Sequence, residues 1–185
     1  DGNGVDIAYS GTQKCLGVPP GLAPLTISPR AVETLQNRKT KVANWYLDLN
    51  LIARYWGKER AYHHTVPINM VYALHEGLAI ALEEGLEARW QRHHENAELL
   101  WAGLESLGLK LHVPRAHRLP SLTTVQIPAG VDDLALRRKL LNDYNIEIAG
   151  GFGPLAGKIW RIGLMGYSSR RENVTLLLAA LKELL

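Results

Sequence analysis

The chain has 185 residues, of which 46% are hydrophobic and 21% charged; this composition is ordinary for a globular protein and leaves room for one good-sized domain or two small ones. The formal net charge is +3, but acidic and basic residues are interspersed, so no nucleic-acid-binding stripe is indicated. A single cysteine excludes an internal disulfide framework and suits a reducing compartment, and no apolar run is long enough to cross a bilayer.

The first third of the chain has no sustained periodicity. A turn over Asp1–Gly4 leads into Val5–Tyr9, which is predicted to be a short strand. Glycine and proline then recur up to residue 66, and most of the tyrosines and tryptophans of this stretch follow position 44. Residues 1–66 are therefore predicted to be largely irregular and to be poor material for a domain of their own.

A helical pattern begins at Asn69. Apolar residues recur at steps of three and four until Gly108, and Gly85 predicts a break between two helices. From about residue 85 onward the sequence predicts an α+β unit, with helices packed on a small, mostly antiparallel sheet. Its predicted strands and helix are Leu109–Val113, Ser121–Ile127, Asp132–Tyr144 (the helix), Ile146–Ile148 and Ile159–Leu164. Ser169 and Glu172 have the spacing of a capping box at the start of a final helix.

One lysine follows a turn of small residues. Lys14 ends the segment Ser10-Gly11-Thr12-Gln13-Lys14, directly after the first predicted strand. An amine held still and partly desolvated there can lose its proton and attack a carbonyl, as a Schiff base with pyridoxal phosphate requires. The alternative is a solvated loop lysine, and this segment by itself favours the alternative.

Two further places offer polar groups for a ligand. Tyr62 and Thr65 lie three residues apart just before a predicted helix, where their hydroxyls could bind a phosphate group or Thr65 could cap the helix. Arg161 shares a strand face with Gly163, which leaves room for a planar carboxylate. The alternative for Arg161 is an exposed sheet face, which its strand alone slightly favours.

The adjacent histidines invite a metal-site interpretation. Neighbouring ligands rarely reach one ion from a helix, and neither H-E-x-x-H nor a Cys/His framework accompanies them, so no metal site is predicted. His93 and His94 are expected to lie on a solvated helix face.

Five motifs occur in one order along the chain: S-G-T-Q-K from Ser10, N-W-Y-L-D from Asn44, Y-H-H-T-x-P from Tyr62, I-E-I-x-G-G-x-G from Ile146 and R-I-G-x-M-G from Arg161. In this order and over essentially the whole length, the chain resembles the alanine–glyoxylate and serine–pyruvate aminotransferases. These are class V members of the fold type I pyridoxal-phosphate enzymes.

The resemblance implies an α/β fold that is the C-terminal part of a fold type I transferase. Residues 1–84 would end the large domain that binds pyridoxal 5'-phosphate, and residues 85–185 would form a small α+β C-terminal domain. The implied activity moves an amino group from a small amino acid, alanine first, to glyoxylate through a Lys14 aldimine. A homodimer that shares its active sites across the interface is also implied.

The resemblance assigns roles to individual residues. Lys14 is similar to the lysine of the internal aldimine, and Gln13 to a contact of the cofactor phosphate. Tyr62 and Thr65 are similar to the pair that reaches the phosphate in the neighbouring subunit, and Arg161 to the arginine that binds the substrate carboxylate. The family's acidic partner for the pyridine nitrogen precedes the lysine, and neither Asp1 nor Asp6 occupies that position.

Several alternatives stay open at this stage. The donor could be serine, as in serine–glyoxylate or serine–pyruvate aminotransferases, and a desulfurase is disfavoured because Cys15 does not lie on a mobile loop. The 185 residues by themselves are expected not to transaminate, which makes an inactive fragment the rival from another class. No peroxisomal tripeptide ends the sequence, and a cytoplasmic location is expected.

Overall fold

The computed structural model describes residues 4–185, so most of the predicted Asp1–Gly4 turn lies outside the described residues. Two compact units are present. The described part of the first unit runs to Gln13 and resumes over Val18–Glu76, and the second comprises Lys14–Gly17 and Gly77–Leu185. The predicted division into domains at residues 84 and 85 stays a prediction.

The first unit contains a hairpin-like pair of short strands. Strand β1 (Ile7–Tyr9) pairs antiparallel with β2 (Leu25–Ile27), with Ile7 opposite Ile27. Asp6 lies directly before β1, and its Oδ1 accepts a hydrogen bond from Ser28 Oγ at 2.7 Å. The strand predicted over Val5–Tyr9 is thus confirmed in its last three residues.

Two helices of the first unit escaped prediction. They are α1 (Pro29–Gln36) and α2 (Leu49–Trp56), so the expectation that residues 1–66 are largely irregular is wrong there. Both have side-chain caps: Ser28 Oγ accepts from Ala31 N at 3.1 Å, and Asp48 Oδ1 accepts from Asn50 N at 3.0 Å. Each helix has only eight residues, which is too short for apolar periodicity to reveal it.

The two long helices lie where they were predicted. Helix α3 (Ile68–Glu84) and helix α4 (Leu86–Ser106) are separated at Gly85, whose φ of +82° favours glycine. Helix α3 contributes residues to both units. Within residues 4–185, no helix is both long enough and apolar enough to span a membrane.

A three-stranded antiparallel sheet forms the second unit's scaffold. Its order is β3 (Leu122–Gln126), β5 (Ile159–Gly163) and β4 (Ala149–Gly150), so β5 is central. Helix α5 (Asp133–Tyr144) begins after Asp132, whose Oδ1 accepts from Ala135 N at 3.0 Å. Helix α6 (Arg171–Leu184) packs against α4 and α5.

The core of this unit lies between the sheet and the helices. Buried side chains from the sheet and its exit, Trp160, Ile162 and Leu164, join an apolar cluster that includes Leu100, Leu104, Leu140, Val174 and Leu181. Because side chains alternate along a strand, Arg161 and Gly163 fall on the opposite face of β5, as predicted.

Two local predictions are wrong and one is confirmed only in part. The strand predicted over Leu109–Val113 pairs with β3 through a bridge between Leu111 and Val125. Beside this bridge, His112 N donates to Thr124 O at 2.9 Å and Gln126 N to Lys110 O at 2.8 Å. Residues Ile146–Ile148 lie outside the sheet, and β4 begins one residue later. The capping box does not form, because α6 begins at Arg171 and the buried Ser169 hydroxyl accepts instead from Asn96 Nδ2 at 3.3 Å.

Candidate active site

Thr12, two residues before Lys14, is hydrogen-bonded within the first unit. Thr12 is fully buried in the first unit, and its Oγ1 donates a hydrogen bond to Pro19 O at 2.8 Å. Its carbonyl accepts from Val18 N at 3.2 Å. The backbone therefore leaves and rejoins the first unit at one hydrogen-bonded point, and residues 13–17 form a tight loop beyond it.

Lys14 lies at a bend in this loop. Its carbonyl accepts from Gly17 N at 2.9 Å, while its side chain is exposed. The expectation of partial desolvation is therefore wrong for this chain, because the loop packs through its backbone and directs the Lys14 and Cys15 side chains outward. The Lys14 side chain is thus exposed, while the backbone that carries it is hydrogen-bonded.

Gln13 precedes the lysine and folds back on its own segment. A Cβ added to Gly11 would lie 2.6 Å from Gln13 Oε1, which is the end of a flexible side chain. Gln13 is exposed and can shift, so this contact by itself does not require glycine at position 11.

In the second unit, the buried Arg89 side chain forms a hydrogen bond with the loop that carries Lys14. Arg89 of α4 is 7% exposed, and its Nη2 donates to Cys15 O at 2.6 Å. Its Nη1 donates to Glu84 Oε2 at 2.7 Å, and Arg92 Nε bonds Glu84 Oε1 at 2.5 Å. Hydrogen bonds from Arg92 and then Arg89 outweigh desolvation and lower the pKa of Glu84 to about 2, so this carboxylate stays charged.

The same helix holds the turn that follows β5. His93 Nδ1 lies 2.7 Å from Arg89 O, which only accepts, and its Nε2 lies 3.1 Å from Gly166 N, which only donates. These partners require a neutral ring with its proton on Nδ1. Burial, the largest influence, lowers the pKa of His93 and favours that form. His93 is therefore buried and structural, and only His94 lies on the solvated face that was predicted for both.

Two backbones meet where this turn reaches the lysine loop. Gly166 has a φ of +57°, and a Cβ there would lie 3.0 Å from Cys15 O and 3.1 Å from Gly17 Cα. Arg92 Nη1 also donates to Ser169 O at 2.5 Å. The last glycine of the R-I-G-x-M-G motif thus allows the turn to touch the loop that carries Lys14.

In the first unit, Tyr62 and Thr65 converge. The Tyr62 hydroxyl and Thr65 Oγ1 are 3.0 Å apart, and both side chains are exposed. Thr65 does not cap α3, which begins only at Ile68. The capping alternative is therefore wrong, and the phosphate-binding role of the two hydroxyls stays a prediction.

The histidines between Tyr62 and Thr65 make contacts with other aromatic residues of the first unit. His63 is buried and stacks on Trp45 with ring centroids 4.1 Å apart, and its Nε2 lies 3.1 Å from Trp45 O. Its Nδ1 lies 2.8 Å from His64 Nδ1. Among residues 4–185, no group of three or more His, Cys, Asp or Glu side chains is arranged to hold a metal ion.

Arg161 is fixed on two sides. Its Nε donates to Gly150 O at 2.7 Å, and its guanidinium carbon lies 3.8 Å from the centre of the exposed Phe152 ring. Within the described residues no hydrogen bond or ion pair involves its two Nη atoms. An oriented guanidinium with a free fork is suited to bind a carboxylate in bidentate fashion.

The glycine-rich loop supplies the carbonyl that orients Arg161. A Cβ on Gly151 would lie 2.0 Å from Leu155 O, so only glycine fits where this loop folds back on itself. Beneath it, Asp133 accepts from Arg137 Nε at 2.7 Å and from Trp160 Nε1 at 2.9 Å. The pKa of Asp133 is lowered mainly by its hydrogen bond with Arg137. Asp133 and Arg137 therefore form an ion pair beside Gly150.

The predicted residues thus divide between the units. Gln13, Tyr62 and Thr65 belong to the first unit, and Lys14 and Arg161 to the second. Residues that support the site were not predicted; they are Glu84, Arg89, Arg92, His93 and Asn96. One signal was available, because Arg89, His93 and Asn96 extend the apolar stripe of α4 at steps of three and four.

Comparison with known proteins adds independent findings. A family model for class-V aminotransferases matches residues 1–176. The chain is 43% identical to (S)-ureidoglycine–glyoxylate transaminase of Bacillus subtilis over 199 aligned residues, which cover 98% of this chain and 48% of that protein. It is 47% identical to alanine–glyoxylate aminotransferase of Callithrix jacchus over 189 residues, covering 100% of this chain and 46% of that one.

Solved structures agree with the sequence relatives. The crystal structure of alanine–glyoxylate aminotransferase from Nostoc sp. superposes with a TM-score of 0.94 at 59% identity, covering 98% of this chain and 48% of that chain. The ureidoglycine–glyoxylate aminotransferase of Bacillus subtilis gives a TM-score of 0.94 at 46% identity, covering 97% and 46%. The chain therefore spans about half the length of the relatives it matches.

Proposed function

This chain belongs to the class-V aminotransferase family, and we propose that it forms the part of a pyridoxal-phosphate-dependent aminotransferase that contains the reactive lysine, Lys14. The predicted fold, the C-terminal part of a fold type I transferase, is confirmed by its structural relatives. Dependence on pyridoxal phosphate is a general property of this family. The observation that carries the proposal is the lysine loop, which is held through its backbone while the Lys14 side chain is exposed.

The available side chains fit pyridoxal phosphate. Lys14 provides a primary amine, and the hydroxyls of Tyr62 and Thr65, 3.0 Å apart, provide neutral donors for a phosphate. Gln13 adds an amide beside the lysine. When bound, the cofactor supplies an aldehyde that condenses with amines and a ring that accepts electrons.

Each residue then has a defined task. Arg161 binds the substrate carboxylate through its free Nη atoms and so orients the α-carbon. Lys14 Nζ removes the proton from that carbon and returns a proton in the second half of the exchange. Tyr62 and Thr65 bind the phosphate in the partner subunit of a homodimer. These assignments follow from the family resemblance and are consistent with the geometry of each unit.

We assign glyoxylate as the amino acceptor and alanine as the first donor. The names of both sequence relatives contain glyoxylate, while their donors differ. (S)-Ureidoglycine is therefore the second candidate donor, since the two relatives are similarly close at 43% and 47% identity. Serine is the third, because it differs from alanine by one hydroxyl, which a small pocket discriminates weakly. The compartment assigned is the cytoplasm.

The activity is tested by measuring transfer to glyoxylate from each of the three donors with the purified aminotransferase of which this chain is proposed to form a part. Alanine is expected to give the highest kcat/KM, Lys14→Ala to abolish transfer, and Arg161→Lys to raise KM by about ten- to a hundredfold, because one point charge replaces a bidentate fork. Absence of transfer from every donor, or an active Lys14→Ala variant, would refute the proposal.

Sharing of the active site is tested by subunit mixing. A Lys14→Ala protein is refolded with a Tyr62→Phe/Thr65→Ala protein, each inactive or impaired alone. If the hydroxyls serve the partner's cofactor, the mixed dimer contains one site with every residue intact, and activity returns. If they serve their own subunit, each site of the mixed dimer stays defective and no activity returns.

A further inference from the structure

The loop that carries Lys14 has one side-chain contact from the second unit that the proposed chemistry does not require. Arg89 Nη2 donates to the carbonyl of Cys15, the residue after the lysine, at 2.6 Å. Arg89 lies 74 residues farther along the chain, on the first turns of α4, and is 7% exposed. This hydrogen bond therefore connects helix α4 to the loop that carries Lys14.

A buried guanidinium is costly unless its donors are satisfied. Arg89 meets this requirement with two fixed partners, because Nη1 bonds Glu84 Oε2 at 2.7 Å while Nη2 reaches the loop. Glu84 is itself shared with Arg92, whose Nη2 donates to Oε2 at 3.0 Å. The ion pair with Glu84 thus fixes the orientation of the Arg89 guanidinium.

The loop is also limited from a second direction. Gly17 of the loop and Gly166 of the turn after β5 approach so closely that a Cβ on Gly166 would lie 3.2 Å from Gly17 N. Gly166 N donates to His93 Nε2 at 3.1 Å, one helical turn beyond Arg89. The loop therefore lies between the backbone of Gly166 and the guanidinium of Arg89, and residues of α4 hold both groups.

We infer that Arg89 is a positioning residue for Lys14: it fixes the Cys15 carbonyl and thereby the backbone from which the Lys14 amine extends. Arg89 itself contacts neither the reacting atoms nor the Lys14 side chain. A planar fork can serve Glu84 and Cys15 together, whereas a lysine at this position offers a single charged centre that cannot keep both geometries. The inference rests on the proposed role of Lys14.

The test compares Arg89→Lys with Arg118→Lys in the purified protein. Both changes keep the positive charge and replace an arginine that bonds a carboxylate and a backbone carbonyl. For Arg118 these partners are Glu105 and Val113 O, and only Arg89 bonds the lysine loop. One readout is the exchange rate of the Gly17 amide, which donates to Lys14 O at 2.9 Å, measured by NMR. The other is the rate at which added pyridoxal phosphate becomes attached to Lys14, trapped by borohydride and located by peptide mass.

Arg89→Lys is expected to speed Gly17 exchange and to slow attachment at Lys14, each by about tenfold or more, as loss of one charge-assisted hydrogen bond implies. Arg118→Lys is expected to change both rates by less than about threefold while lowering the melting temperature to a similar degree. If Arg89→Lys does not fold, Arg89→Gln, which removes the buried charge, is compared in its place.

Equal effects of the two variants, or no effect of Arg89→Lys on Gly17 exchange, would overturn the inference and leave the proposed function intact. If the unaltered protein attaches no pyridoxal phosphate at Lys14, the proposed function fails instead. The exchange comparison then still decides whether Arg89 holds the loop, because it does not depend on any cofactor.

Discussion

Replacement of Gly166 by alanine measures how closely the turn after β5 approaches the lysine loop. Gly166 has a φ of +57°, which costs a residue with a side chain about 1–2 kcal/mol. The new Cβ would also lie 3.0 Å from Cys15 O and 3.1 Å from Gly17 Cα. These are backbone atoms that cannot rotate away, so we add about 1–3 kcal/mol for overpacking and expect a total loss of about 2–5 kcal/mol.

Gly130→Ala is the matched control. Gly130 also has a positive φ, +84°, but a Cβ there would meet nothing within 4 Å, so only the conformational cost of about 1–2 kcal/mol applies. Both variants are measured by urea denaturation, in which the difference between their midpoints isolates the contact with the loop. Equal destabilisation by the two substitutions would refute the close approach of the two backbones.

Three further changes probe the support of the lysine loop. First, because the pKa of Glu84 is lowered from 4.5 to about 2, its carboxylate stabilises the folded protein by up to about 3 kcal/mol. This stabilisation is complete above pH 4.5 and is lost as the pH falls towards 2. Measuring the free energy of unfolding against pH checks this, and a Glu84→Gln protein should lose that part of the pH dependence. Second, His93→Phe removes the acceptor for Gly166 N and should cost about 1–3 kcal/mol by denaturant titration. Because the folded pKa of His93 is also lowered, the unaltered protein should lose stability as the pH falls below 6.5, and the phenylalanine variant should lose less. Third, Thr12→Val removes the bond to Pro19 O and should cost about 1 kcal/mol, whereas an unchanged midpoint would contradict the anchoring role of Thr12.

Much of the second unit could be predicted because its elements are long and periodic. Helices α3 and α4, the break at Gly85, β3, α5 and β5 all follow from apolar spacing that matches the period of the element. The two eight-residue helices of the first unit could not be found in this way. Their signals were local caps, Ser28 before Pro29 and Asp48 before Leu49, which compete with many similar dipeptides.

Two of the errors share a physical cause, which is competition for a polar group by a distant partner. Ser169 has the spacing of a helix cap, but its carbonyl and hydroxyl bind Asn96 instead. His93 looks solvated in a polar stretch, but the fold buries it between Arg89 O and Gly166 N. Short-range patterns contain no information about partners that lie about seventy residues away.

The candidate site shows the same division. Lys14, Tyr62, Thr65 and Arg161 could be proposed from residue type, spacing and family resemblance. The groups that hold them, such as Arg89 at the Cys15 carbonyl and Gly150 at Arg161 Nε, became visible only in three dimensions. Backbone carbonyls are contributed by every residue, so sequence alone cannot single them out.

The most direct test of the central claim is the location of pyridoxal phosphate on the protein. The purified protein is incubated with the cofactor, reduced with borohydride, digested and mapped by mass spectrometry, with Lys14→Arg as the control. We expect the reduced cofactor to be attached to the peptide containing Lys14 and this attachment to be lost in the variant. Attachment spread over several other lysines, or unchanged labelling of the Lys14→Arg protein, would contradict it.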